Sequence, residues 1–482
     1  MGLKILHLHL HGLIRSSNLE LGRDPDTGGQ TQYVLELVKS LANTSEVDQV
    51  DLVTRLIKDK KIDNDYSKEH EFIELGARIL RFQFGPEKYI RKEMLWQYLD
   101  QLVEKLCKFY SNPINKPDWI HAHYADAGYV GVRLSRYLNV PLIFTSHSLG
   151  REKKRKLLDA GLNSKTIEKT YCISKRIAAE EEALEKSMMV VTSTQQELEF
   201  QFSDYLSFDP SKAKVISPGV DHIKFHPVHS TTETSDIDHM MNPFLSDTSK
   251  PPLLVISRAV RRKNLPFLVE VFGKSEKLKK NTNLILVLGC RENITKLDIQ
   301  QKEVFQDIFE IVDKYNLYGK VAYPKRHEPS QIPSIYRWAA SRGGVFVNPA
   351  LTEPFGLTLL EAAACGLPMV ATDDGGPREI KNKCENGLLA DVTDVQSFRY
   401  ALENSLSSKN QWKLWSRNGI EAVTRHFTWG NHVRNYLLNI SNYNHALNRF
   451  SSPGIKLSCL KGNSSLIKPH SSKTPGSEWM IN

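Results

Sequence analysis

A chain of 482 residues exceeds what one hydrophobic core supports, so two domains or slightly more are expected. With 40% hydrophobic and 25% charged residues it is an ordinary globular sequence, which excludes a disordered one. The net charge of +9 is modest at this length and leaves nucleic acid, a membrane surface or small phosphorylated ligands to be weighed as partners.

The chain opens on MGLKILHLHLHGLIR, whose alternation reads as a strand and not as a signal peptide. Leu6 stands where a myristoylation signal needs Ser or Thr, and no run reaches the roughly 18 apolar residues of a membrane span. Short apolar runs then recur at 3–8, 50–54, 119–124, 142–147, 188–194 and 214–219, separated by amphipathic stretches such as 89–110. Strands alternating with helices predict parallel β-α-β units. The pattern begins again at 253–258, 283–289, 320–325, 344–350 and 368–373. Residues 227–250 between the halves are polar and aperiodic, and read as a linker or surface insertion. The expected architecture is α/β: a doubly wound domain over 1–226, a second over 251–427, and a helix at about 428–446 packing back on the first. A tail rich in Ser, Gly, Pro and Lys, 447–482, is expected to be disordered. Two such domains would face each other across a cleft at their strand C-termini. Six cysteines without a Cys-x-x-Cys pair argue against a disulfide framework or a zinc site and fit a reducing, cytoplasmic setting.

Three stretches carry candidate chemistry. Gly28-Gly29 leads from a loop into a helix, a geometry that suits an anion, although an ordinary turn and cap fits equally well; it lacks the dinucleotide fingerprint. Arg258 and Lys263, in SRAVRRKN, leave the end of a strand, where two fixed cations could neutralise a diphosphate. In LTEPFGLTLLEAAACGLP, Glu353 and Glu361 flank a helix start formed by Phe355, Gly356 and Leu357, with Glu361 about two turns in. Carboxylates beside a phosphate site make sense as acceptors for sugar hydroxyls, and a second glycine-rich helix start follows at 373–380.

The pair of glutamates with EPFGL and GLP, preceded by SRAVRRKN, resembles the retaining glycosyltransferases of family 4, which have the GT-B fold of two facing Rossmann-like domains. ELGRDPDTGGQTQYV, FGPEKYIRKEMLW, HAHYADAG, HSLGREK, NLYGKVAYPK and GGPREI narrow the resemblance to the sucrose-phosphate synthase family, over residues 3 to about 445. It implies UDP-glucose as donor and fructose 6-phosphate as acceptor. Glu361 would hold the ribose hydroxyls; Glu353 and the Phe355-Gly356-Leu357 backbone would hold glucose. Arg258, Lys263 and Gly29 would meet the diphosphate, and His147 would line the glucosyl position. Gln30, Lys92, Tyr124, Ser148, Lys153, Lys175 and Arg176 would form the acceptor site. His147, Arg258, Lys263 and Glu353 are thus the catalytic candidates. No metal ligand is expected and no cofactor is required, with a divalent ion at most stimulatory.

Two departures stand out: Lys175 replaces a family arginine, and Ser146 replaces a glycine. Lys175 keeps charge but loses a bidentate donor. The resemblance offers no carboxylate nucleophile, so it implies front-face transfer through positioning and charge stabilisation. Sucrose synthase, which uses free fructose, is the rival activity, disfavoured by the cations. A catalytically silent sugar-phosphate regulator is the rival class. Nucleic acid is disfavoured because the basic residues fall in ligand loops without aromatic interleaving. No phosphatase-like motif follows residue 446, and Asp236-Ile237-Asp238 is not preceded by a strand, so the chain is expected to be either a stand-alone transferase, with a separate sucrose-phosphate phosphatase as partner, or a product that ends before such a domain.

Overall fold

The computed structural model describes residues 2–230 and 234–451. Met1–Asn435 form one compact unit that holds both sheets, and Tyr436 onward forms a second. The first sheet contains β1 (Leu3–Leu8), β2 (Val47–Arg55), β3 (His70–Glu74), β4 (Ala77–Phe82), β5 (Trp119–His123), β6 (Leu142–Thr145), β7 (Met189–Thr192) and β8 (Ala213–Val215). Their order is β3-β4-β2-β1-β5-β6-β7-β8, parallel except for the β3–β4 edge. The second contains β9 (Pro252–Ile256), β10 (Asn283–Val287), β11 (Val321–Ala322), β12 (Val345–Asn348), β13 (Met369–Thr372) and β14 (Gly387–Ala390), in the order β11-β10-β9-β12-β13-β14. Both sheets reverse direction of growth beside their first strand, the switch point where such sheets bind ligands.

The inner strands are buried on both faces, as parallel sheets require, while the edge strands β3 and β8 hold no fully buried residue. In β1 and the residues after it, Leu6, Leu8 and Leu10 enter one core cluster, while His7, His9 and His11 alternate onto the other face and are also buried. Covering that face is the helix Gly29–Ala42, which buries Tyr33, Val34, Leu37, Val38 and Leu41 at helical spacing. The chain returns to the first sheet after residue 427: Val220 N–H donates to the Phe427 carbonyl at 2.8 Å, and His432 Nδ1 lies 2.9 Å from the Ser217 carbonyl.

Several expectations are corrected. The helix expected over 89–110 is regular only over Leu99–Tyr110, after two short 3-10 turns. Tertiary bonds hold the earlier residues: Tyr89 Oη donates to Asp24 at 2.9 Å, and Lys92 N–H to Asp26 at 3.0 Å. The polar linker contains a helix, Ser235–Met241, which sends Ile237 and Met241 into the second domain's core while Asp238 accepts from Trp338 Nε1 at 2.9 Å. Met240 also packs against that core, partly buried, and a helix of seven residues is too short for a visible period. The last helix runs Trp429–Ser451, five residues into the stretch expected to be disordered; the rest of that stretch lies outside the described residues.

Candidate functional site

The site grows from the loop after β1. The Asp24 carboxylate accepts from Asp26 N–H at 2.8 Å, Thr27 N–H at 2.9 Å and the Thr27 hydroxyl at 2.8 Å, which folds DPDTGG into a tight turn ending at the helix Gly29–Ala42. A Cβ added at Gly29 would meet nothing within 4 Å, so the space before the first helical N–H groups is open. One added at Gly28 would sit 3.5 Å from the guanidinium carbon of Arg258, which arrives from the exit of β9 in the other domain. Arg258 Nη1 donates to the Pro25 carbonyl at 3.0 Å. Glycines, a helix start and a guanidinium therefore meet at one point, the composition of an anion site. Burial, with Arg262 adding, lowers the pKa of Arg258.

Behind it, Lys263 Nζ is bonded to the Glu353 carboxylate, which also accepts from Asn348 Nδ2 at 3.1 Å. Burial works to raise the Glu353 pKa, but Lys263 and Arg262 hold it below the usual range. Burial likewise lowers Lys263 against the pull of Glu353. The backbone at Glu353 packs directly on the second glycine-rich start: Gly376 N–H donates to the Glu353 carbonyl at 2.9 Å, and Gly375 holds φ 85° where any Cβ would strike that carbonyl. Gly356, at φ 101°, opens the helix Leu357–Ala364. Glu361 thus lies four residues into this helix, one turn rather than two. It accepts from Tyr336 Oη at 3.0 Å and from Gln32 Nε2, on the first domain's helix, at 3.4 Å. Burial pushes its pKa up to about 7.

Of the residues named for the acceptor, Lys92, Tyr124, Lys153 and Arg176 converge and Ser148 is bonded to Arg176, whereas Gln30 and Lys175 do not line the same pocket. A pocket in the first domain is lined by Lys92, Glu93, Trp96, Tyr124, Asp126, Lys153, Tyr171 and Arg176. Arg176 is 3% exposed, donates through Nε to Glu180 at 2.8 Å and through Nη2 to the Ser148 carbonyl at 2.7 Å, and stacks its guanidinium 4.5 Å from the Tyr124 ring. Lys92 is bonded to Asp26, whose pKa is held down to about 2: burial alone would raise it, and Lys92 outweighs that. Lys153 sits in the helix Gly150–Asp159 with its Nζ 3.8 Å over the Tyr171 ring. Burial, reinforced by Arg176 and Lys92, lowers its pKa to about 7. Lys175 is exposed and does not line this pocket. Gln30 is half-buried, with Nε2 3.1 Å from His9 Nδ1. His147 leaves β6 at φ 55°, its Nε2 3.0 Å from His123 Nδ1. Ser146 is buried and donates to Glu197 at 3.1 Å, so its hydroxyl is engaged inside the domain.

Asp24, Asp26, Gln32, Trp96, Tyr171 and Tyr336 escaped the sequence reading. The first two stood inside the quoted DPDTGG motif, where carboxylates before a glycine pair signal a turn; the others gave no local signal.

Comparison with known proteins places this geometry. The family model for group 1 glycosyl transferases matches residues 236–422, and that for the first GT-B domain of sucrose synthase matches residues 3–208. Sucrose-phosphate synthase 4 of Arabidopsis thaliana is 38% identical over 94% of this chain and 49% of its own length. A probable sucrose-phosphate synthase of Solanum tuberosum is 40% identical over 91% of this chain and 47% of its own. The chain spans about half the length of the curated relatives it matches. Among solved structures, sucrose-phosphate synthase from Thermosynechococcus elongatus superposes with a TM-score of 0.72 at 23% identity, covering 93% of this chain and all of that one. The Anabaena protein HepE, solved with UDP and glucose, gives 0.65 at 16% identity, covering 91% and 100%. At such identities both establish the GT-B fold.

Proposed function

We propose that the chain is a GT-B glycosyltransferase of the kind its sucrose-phosphate synthase relatives represent, transferring glucose from UDP-glucose to fructose 6-phosphate with retention and releasing sucrose 6-phosphate and UDP. One observation carries this reading: a pocket holding Lys92, Lys153 and Arg176, with Arg176 bonded to Ser148, accompanies a cleft where Gly28, just before the helix start, meets Arg258 of the other domain. The pocket suits a phosphate dianion on an acceptor, and the cleft suits a diphosphate.

In this reading the first helical N–H groups, Arg258 and Lys263 hold the donor diphosphate, and Glu361 accepts from the ribose hydroxyls. Glu353 and the backbone of Phe355, Gly356 and Leu357 hold glucose. The bond from glucose C1 to the diphosphate oxygen breaks as the fructose 2-hydroxyl attacks from the same face. Its proton passes to the departing diphosphate oxygen, whose charge Arg258 and Lys263 stabilise. These two cations take the part that a divalent ion plays elsewhere. Gln30, Tyr124 and Ser148 would orient the acceptor sugar, while Lys92, Lys153 and Arg176 hold its phosphate. Sucrose 6-phosphate is a substrate for a phosphatase, which would consume the product. No helix among the described residues is long and apolar enough to cross a membrane. Five free cysteines among them suit the reducing cytoplasm.

Transfer to free fructose is the second reading, favoured by the sucrose synthase model matched over residues 3–208. A donor-by-acceptor matrix decides: UDP-, ADP- and GDP-glucose against fructose 6-phosphate and fructose. Turnover with UDP-glucose and fructose 6-phosphate alone is expected. Equal use of fructose would transfer the assignment to sucrose synthase chemistry, and ligand binding without turnover would make the protein a regulator.

A further inference from the structure

The repeat His7-Leu-His-Leu-His11 plays no part in the reading above. Because β1 is buried on both faces, its histidines share a dry layer with those of β5, where parallel register sets His7 against His121. Three rings form a chain. His7 Nδ1 lies 2.9 Å from His123 Nε2, and His123 Nδ1 lies 3.0 Å from His147 Nε2. His121 stands aside, its Nε2 2.9 Å from the Thr145 hydroxyl. His7 and His123 are fully buried, and His7 Nε2 has no partner. His147 is half-buried at the exit of β6, and Nδ1 is the ring nitrogen that His123 leaves available.

Burial keeps all three rings neutral. It lowers His7 to about 3, His123 well below the ordinary value, and His147 to about 3 with help from His11. A neutral imidazole has one N–H and one lone pair, so the two internal bonds force all three protons to point the same way. If they point inward, His147 Nε2–H donates to His123, His123 Nε2–H donates to His7, and His7 is left with a buried N–H that has no acceptor. If they point outward, His7 is left with only a bare lone pair. Orphaned buried N–H groups are the rarer and costlier defect. The outward polarity therefore wins, and every ring carries its proton on Nδ1.

We propose that His7 and His123 are positioning residues that fix His147 as the Nδ1–H tautomer, so that His147 offers the cleft a hydrogen-bond donor and not a base. Such a donor suits a hydroxyl or ring oxygen of the bound hexose. The role in turnover rests on the glucosyl-transfer reading; the tautomer does not, so the two fail separately.

The deciding measurement is nitrogen-15 NMR of the histidine side chains in the full-length protein at pH 7. His147 is expected as neutral Nδ1–H; an Nε2–H signal would overturn the proposal whatever the turnover assay gives. His7→Leu removes the donor to His123 and should lower kcat about tenfold with KM for UDP-glucose unchanged. His7→Asn, whose amide N–H can still donate, should restore most of it. Unchanged kcat in His7→Leu would count against the relay; if that variant fails to fold, the wild-type spectrum decides alone. His7, His121 and His123 also hold nitrogens within 4.8 Å of one another. An equimolar transition metal in the purified protein, lost in His7→Leu, would overturn the proposal by claiming the same lone pairs.

Discussion

Each domain contributes a sealed ion pair beside a buried group that no opposite charge pairs, a carboxylate in the second domain and an ammonium in the first. In the second domain Lys263 is paired with Glu353, while Glu361 is buried with only a phenol and an amide for company. In the first domain Arg176 is paired with Glu180, while Lys153 meets no carboxylate within ion-pairing distance among the described residues and rests on Tyr171. Within each pair the opposite charge counters the effect of burial, whereas Glu361 and Lys153 are both moved by burial to about 7. A buried carboxylate awaits hydroxyl donors and a buried ammonium awaits an anion, so the unpaired charge on each side identifies the ligand chemistry better than the pair does.

The largest expected effect breaks the second domain's side. Glu361→Ala and Arg258→Ala should each lower kcat/KM for the donor by about a hundredfold or more, since each loses charge-assisted bonds of about 1.5–3 kcal/mol apiece. Glu361→Gln should be as impaired as Glu361→Ala yet melt at the same temperature or higher. The sign follows from linkage: a carboxylate whose folded pKa is raised to about 7 penalises the native state at pH above the unfolded value near 4.5, and the amide removes that penalty. Steady-state kinetics and a melting curve on the same preparations check both halves. Wild-type rates in any of the three would break the comparison.

The mirror experiment in the first domain is Lys153→Met. It should raise KM for fructose 6-phosphate about tenfold or more, leave KM for UDP-glucose within about twofold, and leave the melting temperature equal or higher. Arg176→Ala should also raise that KM but must lower the melting temperature, because Glu180 is left buried and unpaired, a cost of about 3–5 kcal/mol. A stabilising Arg176→Ala, or a destabilising Lys153→Met, would erase the distinction between paired and solitary charges.

That distinction was half legible in the sequence. The strand-helix alternation, the two glycine-rich starts and the glutamate pair are local patterns; the two sheets bear out the alternation, and helices begin at both glycine-rich starts. What Glu361 faces was not legible, because Tyr336 is 25 residues away and Gln32 is 329 away. The same holds for Asp26, which lies 66 residues from Lys92 and whose bonds to it divert an otherwise helical stretch. The helix Ser235–Met241 was hidden for a different reason: seven residues are too few to show a period.

A smaller effect sharpens the first domain's side through pH. Lys153 loses its proton near pH 7 in the free protein, because burial, Arg176 and Lys92 outweigh the opposing pull of Glu93 and Asp26. A sugar phosphate carries its second charge only above about pH 6. kcat/KM for fructose 6-phosphate should therefore peak between about 6 and 7 and fall up to tenfold per unit above it, while the donor's profile does not share that limb. Lys153→Met should abolish the alkaline fall. A limb that survives the substitution belongs to another group.

The smallest effect concerns the residue next to Arg176. Lys175 stands where the resembling family has arginine, which suggests that restoring the guanidinium would tighten phosphate binding through two parallel bonds. The structure argues otherwise. Consecutive residues on the helix Ile173–Lys186 are turned by about 100°, so with Arg176 buried against Tyr124, Lys175 faces solvent. A charge there acts on the pocket only through screened, long-range attraction. Lys175→Arg and Lys175→Ala should both leave KM for fructose 6-phosphate within about twofold at 0.15 M salt, a range typical of exposed charges. A larger change in Lys175→Ala, specific to the phosphorylated acceptor, would mean that the helix turns when the ligand binds and brings the second cation to the phosphate.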